Sequence, residues 1–425
     1  MCRVGGPAGR WARRLGELNR LADLDGLAAY AGLSAIGRAR VALKTSKRGE
    51  IPAFIVMEVM RAAAEREALG DPVYHLEVGQ PGSTAPKGVI QAAKDALDNH
   101  RLGYTVALGI PELRAAIADH YAREYGVSVP QDRIVVTTGS SGGFLLSFLA
   151  AFDQGDKVAL VAPGYPCYRH ILTALGIKPV IIETTKEDRY QPSPALLEKA
   201  QAEHGKIDGL IVASPSNPTG TMLSKEDMAA LAEYCGQSGI RLISDEIYQG
   251  ISYGRGFETV LSHADHAVVV NSFSKYFSMT GWRLGWLVLP EDLLRPVECL
   301  AQNLFISPPT LSQVAAVAAF DCREELESNV ARYAANRDLL LRELPQSGFG
   351  DLAPSDGAFY LYADVGHMTN DSLSFCSRIL KETGAAVTPG LDFDEARGHR
   401  TMRFSFSGTT EEIAAAAAAL KDWRP

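Results

Sequence analysis

The residue best suited to covalent chemistry is a lysine placed just after a buried, β-branched run. Lys275 stands in Asn271-Ser272-Phe273-Ser274-Lys275-Tyr276-Phe277-Ser278-Met279-Thr280-Gly281-Trp282-Arg283-Leu284-Gly285, behind Ala267-Val268-Val269-Val270. Amid aromatics and hydroxyls an ammonium is poorly solvated, which favours the neutral amine, the form that attacks an aldehyde. Arg283 follows beside Gly281, so the chain can fold back and aim a guanidinium at a phosphate that Ser272 and Ser274 also reach.

Three further segments hold polar groups at the ends of apolar runs. Thr138-Gly139-Ser140-Ser141-Gly142-Gly143 follows Arg133-Ile134-Val135-Val136-Thr137 and leads into an apolar helix, which places free backbone N–H groups and a helix dipole where a phosphate can sit. Glycines used for packing alone would read the same way. In Ser214-Pro215-Ser216-Asn217-Pro218-Thr219-Gly220, Pro218 restricts Asn217 to extended geometry and presents its amide in a fixed direction, although a plain turn would also account for the segment. Asp245, in Asp245-Glu246-Ile247-Tyr248, puts a carboxylate at the edge of a buried strand, where it is costly without a partner. Capping of a following helix would supply one, and a protonated pyridine nitrogen would serve equally well.

These groups need a scaffold that lines up strand ends. Between residues 86 and 310 short β-branched runs alternate with helical segments, which predicts a sheet covered by helices on both faces. The runs are 133–137, 157–161, 210–213, 240–244, 267–270 and 286–289. In such a sheet ligands bind beyond the carboxyl ends of the strands, where the polar segments lie. A long helical stretch from Pro309 to about Leu344 reads as a connector into a smaller α+β domain, with strands at 358–362 and 402–406 and a helix through the alanine run Ile413–Leu420. The predicted division is an N-terminal extension over 1–35, a small domain from 36–85 and 326–425, and a large domain over 86–325. Trp11, Leu15, Leu18 and Ala22 recur at helical spacing inside the extension, which is read as poorly ordered.

With these segments in view, the chain resembles the class I/II aminotransferases, fold-type I enzymes that depend on pyridoxal phosphate. The likeness runs from about Ile51 to Arg403 and is carried by Ser-Phe-Ser-Lys-Tyr-Phe-Ser-Met-Thr-Gly-Trp-Arg, Ser-Asn-Pro-Thr-Gly and Asp-Glu-Ile-Tyr in the family's order and spacing. The resemblance implies a large, mostly parallel-sheet domain beside a smaller α+β domain. It also implies that Lys275 carries pyridoxal 5'-phosphate as a Schiff base and moves the substrate's α-proton. Asp245 would pair with the ring nitrogen, Asn217 and Tyr248 would bind the ring oxygen, and Tyr165, in Pro163-Gly164-Tyr165-Pro166, would stack on the ring. Ser140, Ser141, Ser272, Ser274 and Arg283 would hold the phosphate. Arg403, in Met402-Arg403-Phe404-Ser405-Phe406, would grip the substrate carboxylate with Asn217 and the backbone of Gly79; a salt-bridged strand residue is its other reading. Tyr104 matches a tyrosine that reaches the neighbouring subunit's phosphate, which implies a homodimer with sites at the interface. Two stretches depart from the family pattern, Gly79-Gln80-Pro81-Gly82-Ser83-Thr84-Ala85-Pro86 and Gly390-Leu391-Asp392-Phe393-Asp394, and both border the substrate side chain in the family.

Composition excludes several other classes. A net charge of −8 over 425 residues speaks against nucleic-acid binding through bulk positive charge, although residues 1–50 hold ten Lys and Arg against four acids. The six cysteines show no CxxC or CxxH spacing, so neither a metal site nor a disulfide framework is expected and a reducing cytoplasm fits. No run of about 18 apolar residues exists, so no membrane span is expected. The expected small-molecule partners are an amino acid and a 2-oxo acid, with 2-oxoglutarate or pyruvate as acceptor in a ping-pong cycle. A C–S β-lyase on a cysteine-like substrate and a non-catalytic pyridoxal-phosphate-binding regulator are the alternatives, and the donor is left open.

Overall fold

Successive residues of the apolar runs face opposite sides of one sheet and both sides are buried, which is why the runs lack polar alternation. The computed structural model describes residues 43–423. The extension over 1–35, with its helical spacing, lies outside the described residues. From Arg48 onward the described residues form one compact unit.

The strands are β1 (Tyr74–His75), β2 (Ile134–Thr137), β3 (Lys157–Ala162), β4 (Lys178–Glu183), β5 (Gly209–Ala213), β6 (Arg241–Asp245), β7 (Val268–Ser272), β8 (Gly285–Val288), β9 (Asp351–Leu352), β10 (Tyr360–Asp364), β11 (Ala385–Ala386), β12 (Thr388–Pro389) and β13 (Thr401–Ser405). Seven of them form a sheet of order β2-β8-β7-β6-β5-β3-β4, parallel except that β8 opposes both its neighbours. Val136, Val212, Leu242, Val269 and Trp286 fill the core on one face, while Val135, Ile211, Ile243, Val270 and Leu287 fill the core on the other. The fold is therefore mixed α/β with helices on both sides of a mostly parallel sheet, as the runs predicted.

Beyond four two-residue strands that the sequence reading did not include, two longer elements differ from it. Strand β4 was not among the predicted runs: it is an edge strand with one neighbour, exposed Ile181 and a proline, Pro179, which only an edge tolerates. The stretch after Pro309 is not one helix. It breaks at a 3-10 segment, Val317–Asp321, between the helices Thr310–Ala316 and Arg323–Glu343.

The C-terminal strands build an antiparallel sheet of order β12-β13-β10-β9, and β1 pairs in parallel with β11. A third core, with Leu76, Tyr333, Phe359, Leu361, Phe404 and Phe406, packs around these strands. Three helices bear on the site: α1 (Ile55–Ala68), α2 (Gly139–Ala151) and α3 (Pro166–Leu175). Among the described residues no helix is long and apolar enough to cross a membrane.

Candidate active site

The carboxyl ends of β2, β3, β5, β6 and β7 open toward one cavity, and the side chains that follow them line it. Lys275, Asp245, Asn217, Tyr248, Tyr165, Ser140, Ser141, Ser274, Arg283, Gly79 and Arg403 all contribute to its wall. Of the other candidates, Ser272 lies behind that wall, its hydroxyl bonded to Ser274 Oγ at 3.0 Å and to the Leu284 carbonyl at 3.3 Å. Tyr104 is 88% exposed and lines a separate surface depression with His100, Thr105 and Pro309.

Lys275 projects from the turn after β7 and its Nζ donates to the Gly79 carbonyl at 2.6 Å. Burial lowers this amine to about 8, and the positive charge of Arg403 adds to the effect while Asp245 opposes it. The lysine thus keeps a sizeable neutral fraction near pH 8, as a nucleophilic or proton-carrying amine requires.

Asp245 ends β6 and is 2% exposed. Its carboxylate accepts from the Ile247 N–H at 3.1 Å and from the Tyr168 hydroxyl. Burial still pushes it up to about 6 in spite of both hydrogen bonds and of Lys275. A carboxylate so placed gains from a cation set against it, and a protonated ring nitrogen is such a cation.

Asn217 and Arg403 are joined across the cavity. Arg403, on β13 and 2% exposed, donates from Nη1 to Asn217 Oδ1 at 2.8 Å and from Nη2 to the Glu77 carbonyl and to Thr388 Oγ1, the latter at 3.3 Å. Its guanidinium lies over the rings of Tyr360 and Phe393, at 4.3 and 4.7 Å from their centroids. Arg403 Nε is buried and has no hydrogen-bond partner among the described residues, so this cation retains capacity for a carboxylate.

The phosphate-binding expectation rests on α2. Its first residues are Gly139 and Ser140, and Thr138 makes no side-chain cap, so the leading N–H groups and the positive dipole end are free of a capping side chain. Arg283 adopts a left-handed backbone, φ 52°, which turns its guanidinium onto this helix start. A Cβ on Gly139 would stand 2.5 Å from Arg283 Nη2, and Gly139 itself has φ +68°. Glycine is required there both by conformation and by the arginine.

Several site residues escaped the sequence reading. Tyr168, three positions after Tyr165 on α3, supplies the hydrogen bond to Asp245, and Tyr165 and Tyr168 meet edge to face at 5.2 Å. Tyr360 shares a 2.6 Å hydrogen bond with Tyr248, and any side chain at Gly79 would collide with its hydroxyl. The rest of the wall is mostly apolar, with Phe54, Val56, Met57 and Met60 from α1 and its N-cap and Val78 beside them, and Thr280 as its polar member. Tyr168 was signalled only by its helical spacing from Tyr165, whereas the α1 residues look like an ordinary amphipathic helix. Among the described residues lining the cavity the only cations are Lys275, Arg283 and Arg403.

Comparison with known proteins gives the family. Residues 71–420 match the family model described as aminotransferase class I and II. The chain is 51% identical over 390 residues to a valine–pyruvate aminotransferase of Mycobacterium tuberculosis, covering 91% of this chain and 99% of that protein. It is 34% identical to an aspartate/prephenate aminotransferase of Thermus thermophilus, over 83% of this chain and 91% of that one. A crystal structure of an aminotransferase from Mycobacterium tuberculosis superposes with a TM-score of 0.87 at 50% identity, covering 90% of this chain and 99% of the other.

Proposed function

The chain belongs to the class I and II aminotransferases, which move an amino group between an amino acid and a 2-oxo acid, and we propose that it does so with pyridoxal 5'-phosphate held on Lys275, an apolar amino acid as donor and pyruvate as acceptor. The observation that carries this reading is the convergence of Lys275, Asp245 and Arg403 on a cavity that α1 and its N-cap line with apolar side chains. The family is one that uses pyridoxal phosphate, and the residues present fit it: a glycine cradle pressed on Arg283, a buried carboxylate suited to a cation, and an arginine with an unpartnered Nε.

When bound, the cofactor supplies an aldehyde that captures the amino group and a ring that stores the electron pair released at the α-carbon. The residues of the chain hold and steer. Arg283, Ser140, Ser141, Ser272 and Ser274 would hold the phosphate, Tyr165 the ring face, Asp245 the ring nitrogen, and Asn217 with Tyr248 the ring oxygen. Arg403, with Asn217 and the Gly79 backbone, would fix the substrate carboxylate. The Lys275 amine, lowered to about 8, is the base that takes the α-proton and returns it.

The donor follows from the cavity wall. A dicarboxylate side chain would need a cation near α1, and Phe54, Val56, Met57 and Met60 offer none, whereas an aliphatic side chain buries methyls against them at about 0.8 kcal/mol per CH₂. The valine–pyruvate activity of the 51% identical relative points the same way. The same reading includes a large domain over 86–325 with a small domain from 36–85 and 326–425, supported by the separate sheets and cores. It also includes a homodimer in which Tyr104, exposed and outside the lining of its own cavity, reaches the site of the second copy. A cytoplasmic location completes it, on the scattered cysteines.

The test is to mix the purified holoprotein with single amino acids and follow the visible absorbance of its bound cofactor. Valine should discharge it and pyruvate should restore it with formation of alanine. A colourless, cofactor-supplemented protein with no borohydride-fixed adduct on Lys275 overturns the reading. Release of ammonia without an acceptor would transfer it to a lyase.

A further inference from the structure

The segment Gly390-Leu391-Asp392-Phe393-Asp394, whose sequence departs from the family pattern, lies beside the cavity and is tied to three of its parts. Asp392 is 1% exposed, and its carboxylate accepts from the N–H groups of Ile55 at 3.0 Å and Val56 at 3.2 Å. These are the first two residues of α1, whose own N-cap, Phe54, makes no side-chain hydrogen bond. The carboxylate therefore satisfies two of the orphan donors of the helix and faces the positive end of its dipole, from more than three hundred residues away in sequence. The next residue, Phe393, puts its ring against the Arg403 guanidinium at 4.7 Å, and its carbonyl accepts from the Gly164 N–H at 3.0 Å, in the turn that presents Tyr165. The Asp392 carbonyl in turn accepts from Arg169 Nη2 at 2.9 Å. On the other side of the contact, Phe54 meets the Tyr165 ring edge on, at 5.9 Å.

We propose that Asp392 is a specificity-determining positioning residue: its carboxylate latches the start of α1 so that Phe54, Val56 and Met57 stand at a fixed height above Arg403 and select donors by the length of their apolar side chains. This rests on the reading of the cavity as an aminotransferase site with an apolar donor. Asp392 itself does not line the cavity; it acts through the helix it holds. Held at both ends of one short segment, α1 and Arg403 keep a constant spacing, and that spacing is what a donor bound by its carboxylate measures with its side chain. A donor as short as alanine does not reach the α1 wall and is indifferent to where the helix sits.

The experiment compares native holoprotein with Asp392→Ala and Asp392→Asn, measuring kcat/KM for valine and for alanine, together with amide exchange of residues 54–60 and 268–276. With the latch gone, the valine-to-alanine ratio should fall about tenfold, the scale on which a pocket discriminates one or two methyl groups. Asp392→Asn keeps one acceptor and should fall between. Exchange over 54–60 should accelerate while 268–276 stays as in the native protein. Equal loss for both donors, or an unchanged ratio in either variant, overturns the proposal, as does unchanged exchange at 54–60. Should Asp392→Ala fail to fold, the near-isosteric Asp392→Asn decides alone by the same two readouts. A native protein that prefers aspartate over valine would sink the apolar-donor reading, whereas the exchange result still judges whether Asp392 holds the helix.

Discussion

The two walls of the cavity are built on different principles. On the sheet side every chemical group is set at the end of a buried strand: Asp245 ends β6, Lys275 follows β7, and Asn217 follows β5 and is bonded to Arg403. On the helix side the wall is the first turns of α1, where Val56 is buried but Met57 and Glu58 are exposed, and the helix start is held by Asp392. Strand ends locked between two cores are expected to open only with the whole domain, whereas a helix start with few buried residues, anchored by the Asp392 carboxylate, is expected to open at a lower free energy. On the proposed function the rigid wall carries the chemistry and the adjustable one the choice of substrate. Substitutions on the first should abolish turnover for every donor, and substitutions on the second should change which donor is preferred.

The largest effect is expected at Lys275. On the proposed function Lys275→Ala would remove both the covalent anchor and the proton carrier, so turnover should fall by at least about 10⁴-fold with every donor, while the absorbance of a lysine-bound cofactor disappears. Single-turnover spectroscopy with valine checks this; residual turnover within about tenfold of native would break the assignment of the rigid wall. Next comes Asp245→Asn, which keeps the acceptor for Ile247 N–H and removes the charge. A loss on the order of 10²- to 10³-fold in kcat is expected, equal for valine and alanine, because the missing charge is needed at the ring and not at the side chain.

How much of this was legible beforehand follows the same division. Lys275, Asp245, Asn217 and Arg283 could be singled out because chemistry restricts their types and the segments flanking buried strands restrict their places, whereas Tyr248 came with the family resemblance. The apolar wall could not, since Phe54, Val56, Met57 and Met60 have the spacing of any amphipathic helix and nothing in their types points to a ligand. Asp392 was visible only as a departure from a pattern, because its partners, Ile55 and Val56, are brought to it by tertiary structure alone. Tyr168 and Tyr360 read as core aromatics, which they also are. The six predicted runs became strands because both faces are buried, while β4 was missed where one edge meets solvent, and the break at Val317–Asp321 carries neither glycine nor proline to announce it.

Arg403 is where the walls meet, and its replacement sharpens the comparison. Arg403→Lys keeps the charge but loses the forked donors that reach Asn217, Glu77 and Thr388. Losing one charge-assisted hydrogen bond of about 1.5–3 kcal/mol should lower kcat/KM by about 10- to 150-fold, mostly through KM, for valine and alanine alike. A donor-dependent loss would mean that Arg403 contacts the side chain instead of the carboxylate. The pH dependence of cofactor capture is expected to be of similar size. The Lys275 amine is lowered to about 8 by burial and must be neutral to attack an aldehyde. In cofactor-free protein the rate of adduct formation should therefore drop about tenfold per pH unit below about 8 and level off above it. Stopped-flow absorbance against pH reads this directly, and a midpoint near 10 would show that Lys275 is an ordinary solvated lysine.

The smallest effect is the one that isolates the adjustable wall. Met57 is 54% exposed and makes no hydrogen bond through its side chain, so Met57→Ala should leave folding nearly intact, within about 0.5 kcal/mol in denaturant unfolding. It nevertheless takes a flexible thioether away from the cavity. A donor with a branched or long aliphatic side chain should lose roughly 1 kcal/mol of apolar contact, about fivefold in kcat/KM. Alanine, which does not reach the helix, should be unchanged, and longer donors such as leucine should gain relative to valine because the removed side chain leaves room. Loss of activity with alanine as well would mean that the α1 wall shapes the reacting centre and that the two walls are not separable; a uniform lack of effect would place the donor's side chain somewhere other than beneath α1.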